Sequence, residues 1–342
     1  MVSSSSKGSG ETSSLRTSVI RRLATPGIRT LLRHVFVPPR LPKAALHLSE
    51  LINKFKPELL HAMRVPYEGM TTALAVSNPA TLKTPMLVSI WGNDFTLHAQ
   101  ANQRMVNLTR QTMEIADALH TDCFRDLAYA RLWGFEPSKP AVVLPGAGGI
   151  QLDVFYSHDE ERESVVINPR GFRTYVRNDT FFKAIPLVLD RCQGVKFICP
   201  NMKGQPEAER WIENLAIKDA VDLLPPQPRS KMAGLYRQAQ IAISPSIHDG
   251  TPNTLLEAMA CGCFPIAGDI DSIREWIIPG DNGLLINPDD PEDLANAIIE
   301  ALGNPILRGN AIKENLAIIR ERAEYTSVMQ KAENYYRQLT AC

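Results

Sequence analysis

Residues 241–262 read IAISPSIHDGTPNTLLEAMACG, and their order predicts a strand, a loop and a helix in immediate succession. Ile241-Ala242-Ile243 is a short apolar run that stops at Ser244-Pro245-Ser246, because proline lacks the N–H that a central strand needs. The loop His248-Asp249-Gly250-Thr251-Pro252 follows. Asn253 or Thr254 is expected to cap a helix over 255–260 that ends at Gly262. A helix that opens on a Gly-containing loop directly after a strand presents unpaired N–H groups and the positive end of its dipole. Such an end suits a phosphate or a sugar hydroxyl. Asp249 in the loop and Glu257 in the helix can flank one polar ligand.

Working outward, strands and helices alternate on both sides of this block. In the first half, apolar runs at 59–62, 86–90, 118–121 and 142–144 read as strands, with helical patterns at 44–55 and 100–115. In the second half, strands are expected at 165–168, 195–199, 221–224, 264–267 and 283–286. Helices are expected at 180–191, 207–217, 230–238 and 294–302. This rhythm predicts an α/β protein with two doubly wound parallel sheets. The expected division is a disordered Ser-rich tail at 1–15, one domain over 16–153, a second over 154–322, and a C-terminal helix at 323–342 that packs back on the first.

Composition narrows the function. Hydrophobic residues make up 44% and charged residues 22%, as in ordinary globular proteins. Lys plus Arg and Asp plus Glu both number 37, so no basic excess points to nucleic acid. No run reaches the length of a membrane span. The six cysteines have no zinc spacing and the seven histidines form no ligand pair, so the expectation is reduced core thiols, a cytoplasmic setting and no metal or cofactor. The loop after the first strand of the second half holds Arg170, Arg173 and Arg177. The planar guanidinium fork makes two directed bonds to phosphate, so Arg170 and Arg173 are the better candidates to hold a diphosphate and Arg177 the third.

The block around Asp249 resembles the nucleotide-sugar-binding signature of glycosyltransferase family 4, a retaining family with the GT-B fold. That signature is an acid, seven residues and a Glu, here Asp249-Gly250-Thr251-Pro252-Asn253-Thr254 through Glu257. The resemblance implies two Rossmann-like domains facing a cleft. It implies that Asp249 faces the donor sugar, that the amides at Gly250 to Thr254 hold sugar and phosphate, and that Glu257 takes the ribose hydroxyls. Asp249 stands where the family usually has Glu, one methylene longer. In the first half, residues 56–62 resemble the family's PDxxHxH strand and residues 89–94 its H-G-x-D loop. Trp91, Asn93 and Asp94 are placed on the acceptor side by that likeness, with Trp91 where many members carry a His. No strand followed by a Gly-rich loop precedes residue 44, so the N-terminal domain is expected to be shortened.

The implied reaction moves a sugar from a nucleotide diphosphate donor to a hydroxyl acceptor, glycan or lipid-linked, with retention at the anomeric carbon, in cell-envelope polysaccharide or glycolipid synthesis. His248 could position hydroxyls, transfer a proton or cap its loop. Glu275 is expected to hold the fold. The alternative is a non-catalytic relative that binds nucleotide sugar as a subunit or regulator. A nicotinamide enzyme is disfavoured, since no G-x-G-x-x-G follows a first strand. Residues 16–43 carry seven basic residues and no acid, interleaved with Leu, Ile and Val. That pattern suits peripheral contact with anionic lipid at the inner membrane face, through a short helix at roughly 28–36.

Overall fold

The computed structural model describes residues 26–158, 162–173 and 175–341. The expected tail at 1–15 and the arginines Arg16, Arg21 and Arg22 lie outside the described residues. Helices α1 (Pro26–Phe36) and α2 (Leu41–Phe55) come first, followed by strand β1 (Leu60–Ala62), α3 (Met70–Val76) and β2 (Met86–Ile90). Then come α4 (Gln103–Ile115), β3 (Ala118–Thr121), α5 (Phe124–Leu132) and β4 (Ala141–Val143). The second half runs β5 (Val165–Ile167), α6 (Asn178–Leu189), β6 (Lys196–Cys199), α7 (Pro206–Asn214) and β7 (Val221–Leu223). It continues with α8 (Arg229–Gln238), β8 (Ile241–Ser244), α9 (Asn253–Ala260), β9 (Phe264–Gly268) and β10 (Leu284–Ile286). Helices α10 (Pro291–Gly303), α11 (Pro305–Arg322) and α12 (Tyr325–Thr340) close the chain.

Both sheets are parallel throughout, but their strand orders differ. The first has the order β1-β2-β3-β4, and the second β10-β9-β8-β5-β6-β7. The chain therefore winds outward in both directions from the β5–β8 pair, where Val166 meets Ile241 and Ile167 meets Ala242. Strands β5, β8 and β9 are buried along their whole length, which is why they read as unbroken apolar runs rather than alternating ones. Successive side chains of β8 go to opposite layers. Ile241 and Ile243 join Phe181, Phe197 and Phe264, whereas Ala242 joins Phe155, Leu256 and Met259. Each fully buried aromatic of this kind contributes about 3–5 kcal/mol against truncation to Ala.

Two helix starts differ from the sequence reading. The described part of helix α1 takes in Pro26 and Gly27, ahead of the expected start near residue 28. Helix α9 takes Pro252 as its extended N-cap, with no side-chain cap, so Asn253 and Thr254 lie in its first turn and do not cap it. The Thr254 hydroxyl is engaged instead by Arg170 at 3.0 Å. The first sheet has four strands against the second's six, and among the described residues no strand precedes Leu60. Helix α12 returns to this smaller sheet, where the Tyr335 hydroxyl donates to the Leu119 carbonyl at 3.1 Å.

Candidate active site

Where a doubly wound sheet reverses its winding, the loops leaving the two central strands diverge and open a crevice at their carboxyl ends. Here those loops are 168–177 after β5 and 245–252 after β8. They carry the residues that the sequence singled out. Asn168 Nδ2 donates to Asn178 Oδ1 at 3.1 Å, and Asn178 Nδ2 donates to the Gly171 carbonyl at 2.9 Å, which fixes the first loop from below. Its product is Arg170, whose side chain is only 8% exposed. One amino group of that guanidinium pairs with the Asp249 carboxylate, and the other donates to Thr254 Oγ1. The Arg170 Nε is buried without a partner, as are Ser244 Oγ, Ser246 Oγ and Asn253 Oδ1. Buried polar atoms are almost always satisfied, and these four lie after β5, at the end of β8 and at the start of α9.

The other loop arginines diverge from Arg170. Arg173 is exposed, and Arg177 forms an ion pair with Asp289. Neither shares the Arg170–Asp249 cluster. His248 is half-buried, and burial, with Arg125 and Arg177 nearby, holds its imidazole below the ordinary value. Glu257 lies one helical turn beyond Thr254. Burial raises its carboxyl to about 7, against the opposing pull of Arg229, whose Nη2 stands 3.7 Å away. Arg229 also reaches Gln151 Oε1 at 3.2 Å and covers the Phe155 ring, with Cζ 5.2 Å from its centroid. The sequence reading missed Arg229. It lies in a Pro-rich segment far from the signature, and only the α8–α9 packing brings it to Glu257.

The signature loop is also the junction between the two halves. A side-chain carbon added to Gly92 would overlap the Gly250 nitrogen, and one added to Gly250 would overlap the Asp122 carboxylate. Glycine at both positions is what lets the two backbones touch. Thr251, 5% exposed, donates to the Asp122 carbonyl and accepts from Trp276 Nε1 at 3.1 Å. Ser272 Oγ donates to the Asp249 carbonyl at 2.7 Å and accepts from Arg125 Nη1 at 3.0 Å. Arg125 Nη2 donates to the Gly92 carbonyl at 2.7 Å. The Glu275 carboxylate accepts from the amides of Phe124 and Arg125 at 2.9 and 2.8 Å, thereby capping α5 from the other half. Thr251 and Gly250 thus serve the junction between the halves.

On the acceptor side, two expected residues are engaged internally. Asp94, 1% exposed, accepts from Arg64 Nη2 at 2.7 Å, from the Val65 amide at 3.0 Å and from the Trp91 amide at 3.2 Å. Burial raises its carboxyl to about 6 although Arg64 pulls the other way. Asn93 Oδ1 accepts from Arg64 Nη2 at 3.2 Å. Only Trp91 is open, 49% exposed, with Arg64 stacked over its ring. Asp94 and Asn93 therefore fix the turn after β2.

A further acidic group escaped the sequence reading. Asp122, Cys123 and Asp126 bring one ligand atom each within 4.8 Å of one another at the end of β3. Arg125 already holds Asp126 at 2.7 Å, and burial drives the Cys123 thiol far above its ordinary value. Burial, then the neighbouring Asp126, raises Asp122 to about 8. An arginine-neutralised acid pair with a protonated thiol fits this chemistry better than a cation site. The other described cysteines are free thiols, buried except for the partly buried Cys192.

Two family models match the chain, glycosyl transferases group 1 over residues 156–317 and glycosyl transferase 4-like domain over residues 8–146. The chain belongs to the group 1 glycosyltransferases. Among curated relatives, a D-inositol 3-phosphate glycosyltransferase of Geodermatophilus obscurus is 35% identical over 187 residues, 48% of this chain and 41% of that protein. One from Catenulispora acidiphila is 28% identical over 217 residues, 57% of this chain and 50% of that protein. The chain spans about half the length, or less, of these relatives. Two solved structures share the GT-B fold. Sucrose-phosphate synthase of Thermosynechococcus elongatus has a TM-score of 0.73 at 19% identity, covering 90% of this chain and 79% of that one. HepE of Anabaena, solved with UDP-glucose, has a TM-score of 0.71 at 15% identity, covering 86% and 82%.

Proposed function

We propose that this group 1 glycosyltransferase moves a sugar from a nucleoside diphosphate sugar to a hydroxyl acceptor, with retention of anomeric configuration. The observation that carries this reading is Arg170, locked by Asp249 and Thr254 at the β5–β8 switch point among unpartnered buried polar atoms. A guanidinium fixed in place before the reaction stabilises a departing diphosphate without reorganising, and the start of α9 adds its dipole. Glu257, once ionised, accepts from the ribose hydroxyls. The departing phosphate oxygen takes the acceptor proton, so no pair of carboxylates has to act as acid and nucleophile. Relatives solved with UDP or UDP-glucose make uridine diphosphate sugars the first donors to try. The test is release of nucleoside diphosphate from a panel of nucleotide sugars, with the product anomer read by NMR. Asp249→Asn should lower turnover by roughly 10²-fold, the scale of one lost preorganised contact. Undiminished turnover in that variant, or an inverted product, would sink the proposal.

One observation favours the alternative of a binding subunit, namely the contact of Gly92 with Gly250 directly over the signature loop. Nucleotide-sugar binding in thermal shift, with no transfer or hydrolysis at any acceptor, would support that alternative.

We further propose that α1 meets anionic lipid. Leu31, Leu32, Val35 and Phe36 are exposed on it, beside exposed Arg33, Arg40 and Lys43. Among the described residues no helix is long and apolar enough to cross a membrane, so this contact would be peripheral. Co-sedimentation with phosphatidylglycerol vesicles should fall when Leu31 and Phe36 are both changed to Ser. Equal pelleting of the two proteins would remove the idea.

A further inference from the structure

Helix α9 meets two arginines on one face. Thr254 and Glu257 are three residues apart, so they are neighbours on the helix surface. Arg170 bonds Thr254 directly at 3.0 Å and is nearly buried. Arg229 addresses Glu257 in another way. Its side chain is 54% exposed against 15% for Glu257, and its Nη2 stops 3.7 Å from Glu257 Oε1. That gap is too wide for a hydrogen bond but well within reach of charge attraction.

To stand off in this way, Arg229 must be held by groups other than Glu257. Two do so. Its Nη1 donates to Gln151 Oε1 at 3.2 Å, and its Cζ lies 5.2 Å from the centroid of the fully buried Phe155 ring. Both partners belong to the segment that leaves β4 and leads into the second half. A planar guanidinium can stack by its face and donate by its edge at once, which a lysine ammonium cannot do. The Glu257 carboxylate thus faces a fixed positive charge without giving up lone pairs to it.

We propose that Arg229 is a positioning residue of the donor site. From its seat on Gln151 and Phe155 it sets a positive charge beside Glu257 and leaves the carboxylate oxygens to the ribose hydroxyls of a nucleoside diphosphate sugar. The surroundings make that charge count. Burial raises the Glu257 carboxyl to about 7, and Arg229 pulls it the other way. Tyr236 of α8 and Cys261, just past α9, also act electrostatically on Glu257, and burial keeps both protonated and uncharged. Ribose as the ligand rests on the sugar-transfer reading above. The charge on Glu257 does not, and the two are measured apart.

Carboxyl-carbon NMR of the glutamate-labelled chain follows Glu257 without any ligand, its resonance identified by loss in Glu257→Gln. In Arg229→Gln its titration midpoint should move up by roughly half a pH unit, the size expected of a half-exposed ion pair. Arg229→Lys keeps the charge and should show a smaller shift. Affinity for UDP should follow the carboxyl. In Arg229→Gln it should be about threefold weaker than in the wild type at pH 6 and equal to it at pH 8.5, where both carboxylates are ionised. The terminal phosphate of UDP titrates equally against each protein, so the difference isolates Arg229. A midpoint unmoved in Arg229→Gln would overturn the proposal. So would UDP affinity lowered equally at both pH values, as a merely structural loss would give. A midpoint that moves as expected in a chain that binds no UDP at any pH would instead overturn the donor reading, and the ribose with it.

Discussion

The two halves of the chain use the same strand-and-helix alphabet and end with opposite uses for their polar residues. In the second sheet the winding reverses at β5 and β8, and the loops beyond them bring Arg170, Asp249 and Thr254 together. In the first sheet β1 to β4 lie side by side in chain order, with no reversal among the described residues. There the acid at the tip of β2, Asp94, folds inward and is saturated by Arg64, Val65 and Trp91. A charged residue at a strand end is thus no guide to function on its own. What matters is whether the topology places its partners across a gap or behind it.

That comparison breaks most visibly at Arg170 and Asp94. Arg170→Ala should reduce kcat/KM for any accepted nucleotide sugar on the order of 10³-fold, the upper range for one electrostatic contact. Steady-state kinetics on the folded variant checks it, and a loss below tenfold would demote Arg170 to a structural residue. Asp94→Ala should act in the opposite sense. Removing it leaves two amides without a partner and Arg64 with only Asn93, a cost of about 3 kcal/mol, at the lower end for a broken buried pair because Arg64 keeps that bond and some solvent. Chemical denaturation should register that loss, while nucleotide affinity of the folded fraction stays within twofold. A large affinity change with intact stability would show that the first half also presents its acids to ligand.

Protonation sharpens the contrast within the second half. Glu257 has its carboxyl raised from 4.5 to about 7, chiefly by burial. Folding therefore favours its protonated form, and its contribution to stability falls as pH rises from about 4.5 through about 7. Nucleotide binding should run the other way, because ribose hydroxyls bond best to the ionised carboxylate. Affinity should improve roughly tenfold between pH 5.5 and 8, the scale of a hydrogen bond to a charged group. In Glu257→Gln the affinity should be low and flat over that range. A wild-type profile equally flat would mean that the ribose does not meet this residue.

Much of the architecture could be read from the chain, and the reasons are local. The run 241–262 carries its own strand stop, loop and helix, so β8 and α9 needed no knowledge of the rest of the molecule. The buried strands announced themselves because a parallel sheet hides both faces. The interplay of Arg170 with Asp249 lay in two loops 79 residues apart, and only their meeting at the switch point made a pair of two separate candidates. Arg229, Arg125 and Asp122 were illegible for the same reason, since each acts through a partner distant in sequence. Pro252 shows the reverse case. A rule about capping side chains favoured Asn253 or Thr254, and the tertiary bond from Arg170 to Thr254 prevailed.

The smallest expected effect concerns the contact that joins the halves. Glu275 lies in the second half, and its carboxylate accepts from the first two amides of α5 in the first. It therefore supplies both the missing hydrogen bonds and a negative charge at the positive end of that helix. Glu275→Gln preserves the shape and one acceptor but removes the charge, a loss of about 0.5–1 kcal/mol for an exposed cap. The expected signs are a slightly larger radius of gyration by small-angle scattering and a melting temperature lower by a few degrees. Nucleotide affinity should change little, because Glu275 makes no contact with Arg170 or Glu257. Identical scattering and melting in the variant would show that Gly92 against Gly250, together with Arg125, holds the halves together without it.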